Sequence, residues 1–494
     1  MSGLPNQQIE ETVRTSAVST LESQVIEEKA TWPGTLVWLV VAVTAFHVAY
    51  LSAKTAFFVV VYLFALLQLT QGETWRKRFY PGLGVGLAIA AVRLAFFWRI
   101  FSQGAIALWF VYAFWIGLFV ALVPVCRALP GWTRWLAIPF LWTGLEYFRS
   151  ELYYLRFSWL TPGYSFAEGG WEALFRSLGT YGLGFVLMGV ACAGAAWWKH
   201  SRARALAMLF VGAGIIYVAG WLFDGHTPGR VRTQVKVAGL QMEFPTEKEV
   251  LLRLDESVRR HPETELIVLS EYVFDEPVPE KVREWCRKNG RYMIAGGKAP
   301  LGNTNFYDTA FVVAPSGEVV FQQVKAVPIQ LMKDGLPAPE QKVWNSPWGK
   351  LGMCVCYDLS YTRVTDRLVK QGAESLIVPT MDVANWGEWQ HRLHARIAPV
   401  RAAEYGIPIF RLASSGISQC VGATGKVAAK TDCFADGVVL FGTLDLAGPG
   451  KLPADRWLGP LSTSVSAVLI GWVLAKKGLV IYKRRRRGRT NAIG

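Results

Sequence analysis

The sequence predicts a multi-pass α-helical membrane protein of eight spans, with one water-soluble α/β domain inserted before the last span. Three observations predict it. From Thr35 to Phe223 one apolar stretch follows another, each near the length of about 20 residues that a helix needs to cross a bilayer. From Arg230 to Leu446 the composition turns mixed, and short β-rich runs alternate with helix-like stretches, as in a layered α/β fold. A final apolar stretch then ends in the basic run Lys483 to Arg487.

The spans are read at residues 35–53, 55–70, 81–101, 104–126, 132–149, 179–198, 203–223 and 458–482. Residues 1–30 are polar and lack the apolar core of a signal peptide, so they read as a cytoplasmic tail, with the first span as an uncleaved anchor. The bundle then occupies residues 31–225, the inserted domain 230–450, the eighth span 458–482 and a basic cytoplasmic tail 483–494. Lys and Arg mark cytoplasmic connectors. Arg76, Lys77 and Arg78, then Arg127 and Arg134, then Lys199, Arg202 and Arg204, and finally Lys483 to Arg487 all fall on one side of an eight-span chain. Both termini are therefore expected in the cytoplasm and the inserted domain on the extracytoplasmic, periplasmic face of the inner membrane.

The net charge of +15 would suit nucleic acid in a soluble protein, but here the basic residues collect beside apolar segments and follow no reader motif, so no nucleic-acid partner is expected. The 7 cysteines are odd in number, with no CxxC pair and no zinc-like spacing. Neither a metal nor another cofactor is implied.

Within the inserted domain the runs are VKVAGLQ, a polar segment to His261, ELIVLS, a helix over 279–288, and YMIAGG. TAFVVAP and GEVVFQQV follow around the turn Pro315-Ser316-Gly317, then LGMCVC, a helix over 361–371, and SLIVPT. Continuous apolar runs such as Leu266 to Leu269 suit strands covered on both faces. In such folds reactive groups gather where strands end. Glu271 follows ELIVLS, Lys325 follows GEVVFQQV, and Cys356 closes LGMCVC. A carboxylate able to take a thiol proton, an ammonium able to stabilise thiolate and oxyanion, and a thiol form a complete nucleophilic set. Each also has a plainer role. A cysteine closing an apolar strand is more often core than nucleophile, as Cys354 exemplifies; a Glu after a strand often caps a helix, and a Lys at a hairpin end is usually solvated. Strand side chains alternate faces, so Cys354 and Cys356 are expected to share one face, with only position along the strand separating them.

Glu271 after its strand, FYDTAFVVAPSGEVVFQQVKAVPI around Lys325 and GMCVCYDLSY around Cys356 resemble the three blocks of the carbon–nitrogen hydrolase (nitrilase) superfamily. NWGEWQHRLHARIAPVRAAEYGIPIFRLASSGIS and, in the helical half, EYFRSELYYLRFSWLTPGYS resemble its membrane-bound branch, the apolipoprotein N-acyltransferase family. The resemblance implies a nitrilase-like α-β-β-α sandwich for residues 230–450. It further implies an acyltransferase that takes an acyl chain from a phospholipid of the bilayer onto Cys356 and passes it to the N-terminal amine of diacylglyceryl-modified apolipoproteins, working as a monomer without a cofactor. Glu271 would be general base and Lys325 the oxyanion partner. Apolar residues in loops, Val273, Phe274, Ile329, Leu331, Trp386 and Trp389, are candidates to line the acyl entrance, with Tyr357 beside the nucleophile.

The chain departs from the family pattern in three places. Leu331 stands where a second Glu is expected, with Asp334 and Glu340 the nearest downstream carboxylates; Asp358 replaces a Glu; and the usual Asn-Asp before Trp-Phe-Gly becomes Met381-Asp382-Val383-Ala384-Asn385-Trp386-Gly387. Two other readings stay open: a membrane-anchored amidase or hydrolase, in which water resolves the acyl-enzyme, and a catalytically silent lipoprotein-binding scaffold.

Overall fold

A computed structural model describes residues 32–167, 171–223 and 229–490. The predicted tail at residues 1–30, and residues 224–228 and 491–494, lie outside the described residues. Helices α1 (Trp32–Ala49), α2 (Phe58–Gln68), α3 (Trp75–Arg93), α4 (Phe97–Phe101), α5 (Gly104–Arg127), α6 (Thr133–Tyr147), α7 (Glu172–Trp198) and α8 (Arg202–Phe223) precede the α/β domain. The stretch read as one span at 81–101 is two helices, α3 and the short α4, separated at Leu94 to Phe96. The domain contains α9 (Glu247–Arg260), α10 (Glu280–Asn289), α11 (Thr362–Lys370), α12 (Glu388–Ala395) and α13 (Ile397–Tyr405), and α14 (Asp455–Thr490) returns the chain to the bundle.

Among the described residues, Ala53–Gln71, Gly104–Arg127, Leu174–Trp198 and Asp455–Leu479 are long and apolar enough to cross a bilayer. The bundle leaves large apolar side chains outward: Phe210 and Ile215 on α8, and Val468 and Leu474 on α14, are 76%, 64%, 71% and 64% exposed. Such surfaces need lipid to cover them. Inside the bundle small residues set the spacing. A Cβ added to Gly86 of α3 would lie 2.5 Å from Cα of Ala113 on α5, and one on Gly82 would lie 2.9 Å from Cα of Gly117. The pairing of Gly82 and Gly86 with Ala113 and Gly117 is the small-xxx-small contact of membrane helices.

The domain holds two six-stranded sheets. One runs β12-β1-β2-β3-β4-β5, from β1 (Thr233–Gln241), β2 (Leu266–Leu269), β3 (Tyr292–Leu301), β4 (Asn305–Val313), β5 (Val319–Val324) and β12 (Val438–Leu446). The other runs β11-β10-β9-β8-β7-β6, from β6 (Val343–Ser346), β7 (Gly349–Met353), β8 (Ser375–Thr380), β9 (Ile409–Ala413), β10 (Gln419–Val421) and β11 (Val427–Lys430). Val237, Leu266 and Ile294 from the first sheet share a core with Met353, Ile377 and Phe410 from the second. The other face of the first sheet packs Leu240, Ile267 and Met293 against Val250 and Leu254 of α9 and Val282 and Trp285 of α10. This is a helix–sheet–sheet–helix sandwich. The polar segment before His261 is the helix α9, opened by a capping box in which Thr246 and Glu249 bond each other's backbone N–H at 3.3 and 2.7 Å.

A buried polar seam fixes the domain on the bundle. Gly179, at φ 71°, breaks α7, so Thr180 and Tyr181 begin its second half with unbonded N–H groups. Thr180 N donates to Glu404 Oε1 at 2.8 Å and Tyr181 N to Asp455 Oδ2 at 2.9 Å. The Glu404 carboxylate also meets Arg401 Nη1 at 2.5 Å and Arg456 Nη2 at 2.9 Å, while Arg401 holds the Ser360 carbonyl, 2.9 Å away, on the turn that follows Cys356. No side chain larger than hydrogen fits at Gly179, where a Cβ would fall 2.2 Å from the Asp455 carboxylate.

Burial alone would raise the Glu404 pKa, but Arg401 and Arg456 outweigh it and hold it below the ordinary value. Its contribution is therefore present above the unfolded-state value of about 4.3 and is lost as pH falls through the lower folded-state value. Glu404→Gln leaves two buried guanidiniums short of a counter-ion and is expected to cost about 3–5 kcal/mol. Thermal unfolding in detergent, scanned against pH, should show the wild type losing stability on acidification and the variant starting low and changing less.

Candidate active site

The three predicted site residues and the Met381–Asp382 pair come from loops at one edge of the sandwich. Glu271 follows β2, Lys325 follows β5, Cys356 follows β7, and Met381 and Asp382 follow β8. The β2–β3 and β7–β8 pairs are parallel, so their carboxyl ends face the same way. Gly296 of β3 lets the loop after β2 pass close; a Cβ there would sit 2.5 Å from Glu271 Cα.

Lys325 Nζ is fully buried and lies 2.6 Å from Glu271 Oε1, 2.8 Å from Asp334 Oδ2 and 3.2 Å from Asp308 Oδ2. The three carboxylates alone have the spacing to hold a metal ion, but the ammonium already fills the point between them. Burial would lower the Lys325 pKa, yet the surrounding carboxylates outweigh it and keep the group charged. Asp308 behaves oppositely: burial and the Glu271 carboxylate push it well above the ordinary range, so it keeps its proton. Glu271 accepts from Lys325 Nζ and from Met381 N, both at 2.6 Å, while the Cys356 thiol donates to the carbonyl of the same Met381 at 3.7 Å.

Cys356 lies beyond the end of β7, at φ 50°, and opens the helical turn Cys356–Ser360. This sharp turn corrects the expectation that Cys354 and Cys356 share a strand face: β7 ends at Met353 and the alternation stops there. Cys354 is sealed in the inter-sheet core. Burial first, and then the Glu271 carboxylate, push the Cys356 thiol well above its ordinary pKa, so at rest the sulfur carries its proton. Asp358 ties the nucleophile turn to the lysine loop, accepting from Ala326 N at 2.9 Å, Val327 N at 2.7 Å and Val355 N at 3.3 Å.

The sulfur opens onto a cavity with about 890 Å³ of empty space between the bundle and the domain. Its walls are apolar side chains of the bundle, among them Leu94, Phe97, Ile100 and Val111, facing Ile329, Leu331, Tyr357 and Trp386 of the domain. Leu331 is 65% exposed at the rim, with φ 69°. Trp389 is not in this wall; its ring packs under the Arg93 guanidinium, 4.6 Å from the centroid. Val273 and Phe274 lie in the loop after β2 but do not line the entrance, being buried in the core beneath α9 and α10.

Asp334 resolves the departure at Leu331. It lies beside Lys325 and accepts from Tyr272 Oη at 2.9 Å and Ile329 N at 2.6 Å, three residues after Leu331 in the chain. Glu340 is exposed and pairs with Lys342. Sequence reasoning missed Asp308, whose signal is a lone carboxylate within the apolar run FYDTAFVV, and the buried set of Asp382, His394 and Arg411.

A sandwich whose strand ends gather a carboxylate, a buried ammonium and a thiol, with the thiol residue lining a cavity against apolar helices, defines a membrane-associated thiol enzyme with a carbon–nitrogen hydrolase domain. Residues 246–453 match the family model described as carbon-nitrogen hydrolase, and residues 37–193 match that described as apolipoprotein N-acyltransferase N-terminal domain. The chain belongs to the apolipoprotein N-acyltransferase family, a family of acyltransferases. It is 24% identical over 404 residues to an apolipoprotein N-acyltransferase of Shewanella oneidensis, covering 72% of this chain and 75% of that protein. It is 24% identical over 415 residues to one of Azotobacter vinelandii, covering 71% and 77%. A solved carbon-nitrogen hydrolase of Helicobacter pylori aligns over 43% of this chain and 90% of that one, with 20% identity and a TM-score of 0.38.

Asp334→Asn removes one counter-ion from a buried ammonium, and is expected to slow acylation of Cys356 by an ester donor about tenfold or more, a barrier change of roughly 1.4 kcal/mol. Glu340→Gln should leave the rate unchanged. Single-turnover mass spectrometry of the protein reads both.

Proposed function

We propose that this protein moves an acyl chain from a membrane phospholipid, through a thioester on Cys356, to the N-terminal amine of a diacylglyceryl-cysteine lipoprotein. The observation that carries this reading is that Cys356 lines an apolar cavity walled on one side by the bundle, with its base Glu271 and the ammonium of Lys325 paired in the buried layer behind it. Both substrates are anchored by acyl chains, and removing them from lipid costs about 0.8 kcal/mol per CH₂. A cavity opening beside the bilayer avoids that cost.

In the first half-reaction Glu271 takes the Cys356 proton as sulfur attacks the ester carbonyl. Raising the thiol pKa ties deprotonation to attack, so no free thiolate waits in the site. The oxyanion forms near Lys325 Nζ and the backbone N–H that follows Cys356. Its collapse breaks the ester C–O bond, and Glu271 returns the proton to the departing lysophospholipid oxygen. In the second half-reaction the amine attacks the thioester, Glu271 takes a proton from nitrogen, and sulfur leaves as the thiol. Tyr357, Leu331 and Trp386 guide the acyl chain. In this reading the chain crosses the inner membrane eight times, with α3 making the third crossing in place of the stretch read at 81–101, the domain faces the periplasm, and the enzyme acts as a monomer.

Cys356→Ala should abolish both the thioester adduct and transfer, whereas Cys354→Ala should keep both. Intact-protein mass spectrometry after incubation with labelled phospholipid, then with a diacylglyceryl peptide, measures them. Acylated peptide is the expected product; free fatty acid alone would mark a hydrolase, and absence of any adduct a silent scaffold. Leu331→Ala, at the rim, should mainly raise the KM for phospholipid, with a smaller change in the acylation rate at saturation.

A further inference from the structure

We propose that Nε2 of His394 accepts the proton that the acceptor's α-ammonium sheds before it attacks the Cys356 thioester. This rests on the acyl-transfer reading above and adds a second proton acceptor to it.

Proton balance leaves a role for such a group. Forming the thioester from an ester and a thiol leaves no net proton. An α-amino group has a pKa of about 7.7–8.0, so near neutral pH it arrives mostly as ammonium and must lose two protons to become an amide nitrogen. One passes through Glu271 to the leaving sulfur. Cys356 is then filled and Lys325 is already charged, so the other proton has no destination within the Glu271–Lys325–Cys356 set.

Among the described residues, the titratable side chains that line the cavity are Tyr112, Arg149, Arg156, Cys356, Tyr357 and His394. The arginines stay charged and the tyrosines hold their protons. His394 is the neutral base of the set. It sits on α12, 2% exposed, with its ring stacked on Trp159 at 4.6 Å. Its Nδ1 lies 2.8 Å from Asp382 Oδ1, and the other Asp382 oxygen is paired with Arg411. A carboxylate held by a guanidinium only accepts, so Nδ1 carries the hydrogen and Nε2 the lone pair. Nε2 is buried and has no hydrogen-bond partner within the protein. Burial outweighs the charge of Asp382 and of more distant Glu271, with Arg411 acting in the same sense as burial, and holds the His394 pKa below its ordinary value. The ring is therefore neutral and able to accept. When the product leaves, the imidazolium returns its proton to water at the cavity mouth.

The test uses the full chain in detergent, loaded on Cys356 from labelled phospholipid and then mixed with either a diacylglyceryl-cysteine peptide or hydroxylamine, a weak base that is already unprotonated at neutral pH. For His394→Gln and His394→Leu the expected result is loading within about threefold of wild type and transfer to the peptide slowed about a hundredfold at neutral pH. The deficit should shrink as pH rises through the amine's own pKa, and hydroxylamine should release the acyl group at the wild-type rate. Equal slowing with hydroxylamine, a deficit independent of pH, unchanged peptide transfer, or loss of loading in both variants would overturn the assignment to His394. Failure of the wild type itself to load Cys356 would instead overturn the acyl-transfer reading.

Discussion

The site depends on one buried cation. An ammonium with no access to water must be surrounded by compensating charge, because its desolvation costs several kcal/mol even after relaxation. Lys325 meets that requirement by drawing together Asp308 from β4, Glu271 from the loop after β2 and Asp334 from the loop after β5. The same contacts hold Glu271 on the Met381 N–H, the residue whose carbonyl takes the Cys356 thiol, and anchor the loop that carries Leu331. Asp308, pushed up by burial and by the Glu271 carboxylate, relieves the excess of negative charge by keeping its proton. Catalytic preorganisation and local stability are one arrangement here.

A second constraint is positional. The nucleophile turn is useful to a lipid substrate only if it faces the bundle, and a polar seam holds it there. Arg401 reaches the carbonyls of Leu359 and Ser360, and Glu404 beside it caps the broken helix α7. Glu151 accepts from Thr362 N at 3.1 Å and Tyr181 Oη at 3.0 Å, and Trp159 Nε1 donates to Ser360 Oγ at 2.9 Å. Directional bonds of this kind fix orientation more tightly than apolar packing would, which matters where a cavity is made by two bodies.

Much was legible in the sequence because its signals are local. Apolar length marks helices, β-rich runs mark strands, and Glu271, Lys325 and Cys356 stand directly after such runs. The helix α9 was harder to see because its apolar positions are few and its face is mostly charged, so its capping box, Thr246 and Glu249, was the better signal. Trp389 illustrates the opposite failure: an aromatic near the site reads as a lining residue, whereas its neighbour in space, Arg93, lies far away in the chain.

The sequence by itself determined which segments are apolar enough to seek lipid, the order of strands and helices, and the three chemical groups at strand ends. Those follow from side-chain polarity and period, which act over a few residues. Tertiary structure alone decided which carboxylates surround Lys325, why Cys356 rather than Cys354 lines the cavity, and that His394 lines it with its buried Nε2 left unpartnered. These depend on backbone turns such as the one at Cys356 and on contacts between residues far apart in the chain, which no local pattern encodes.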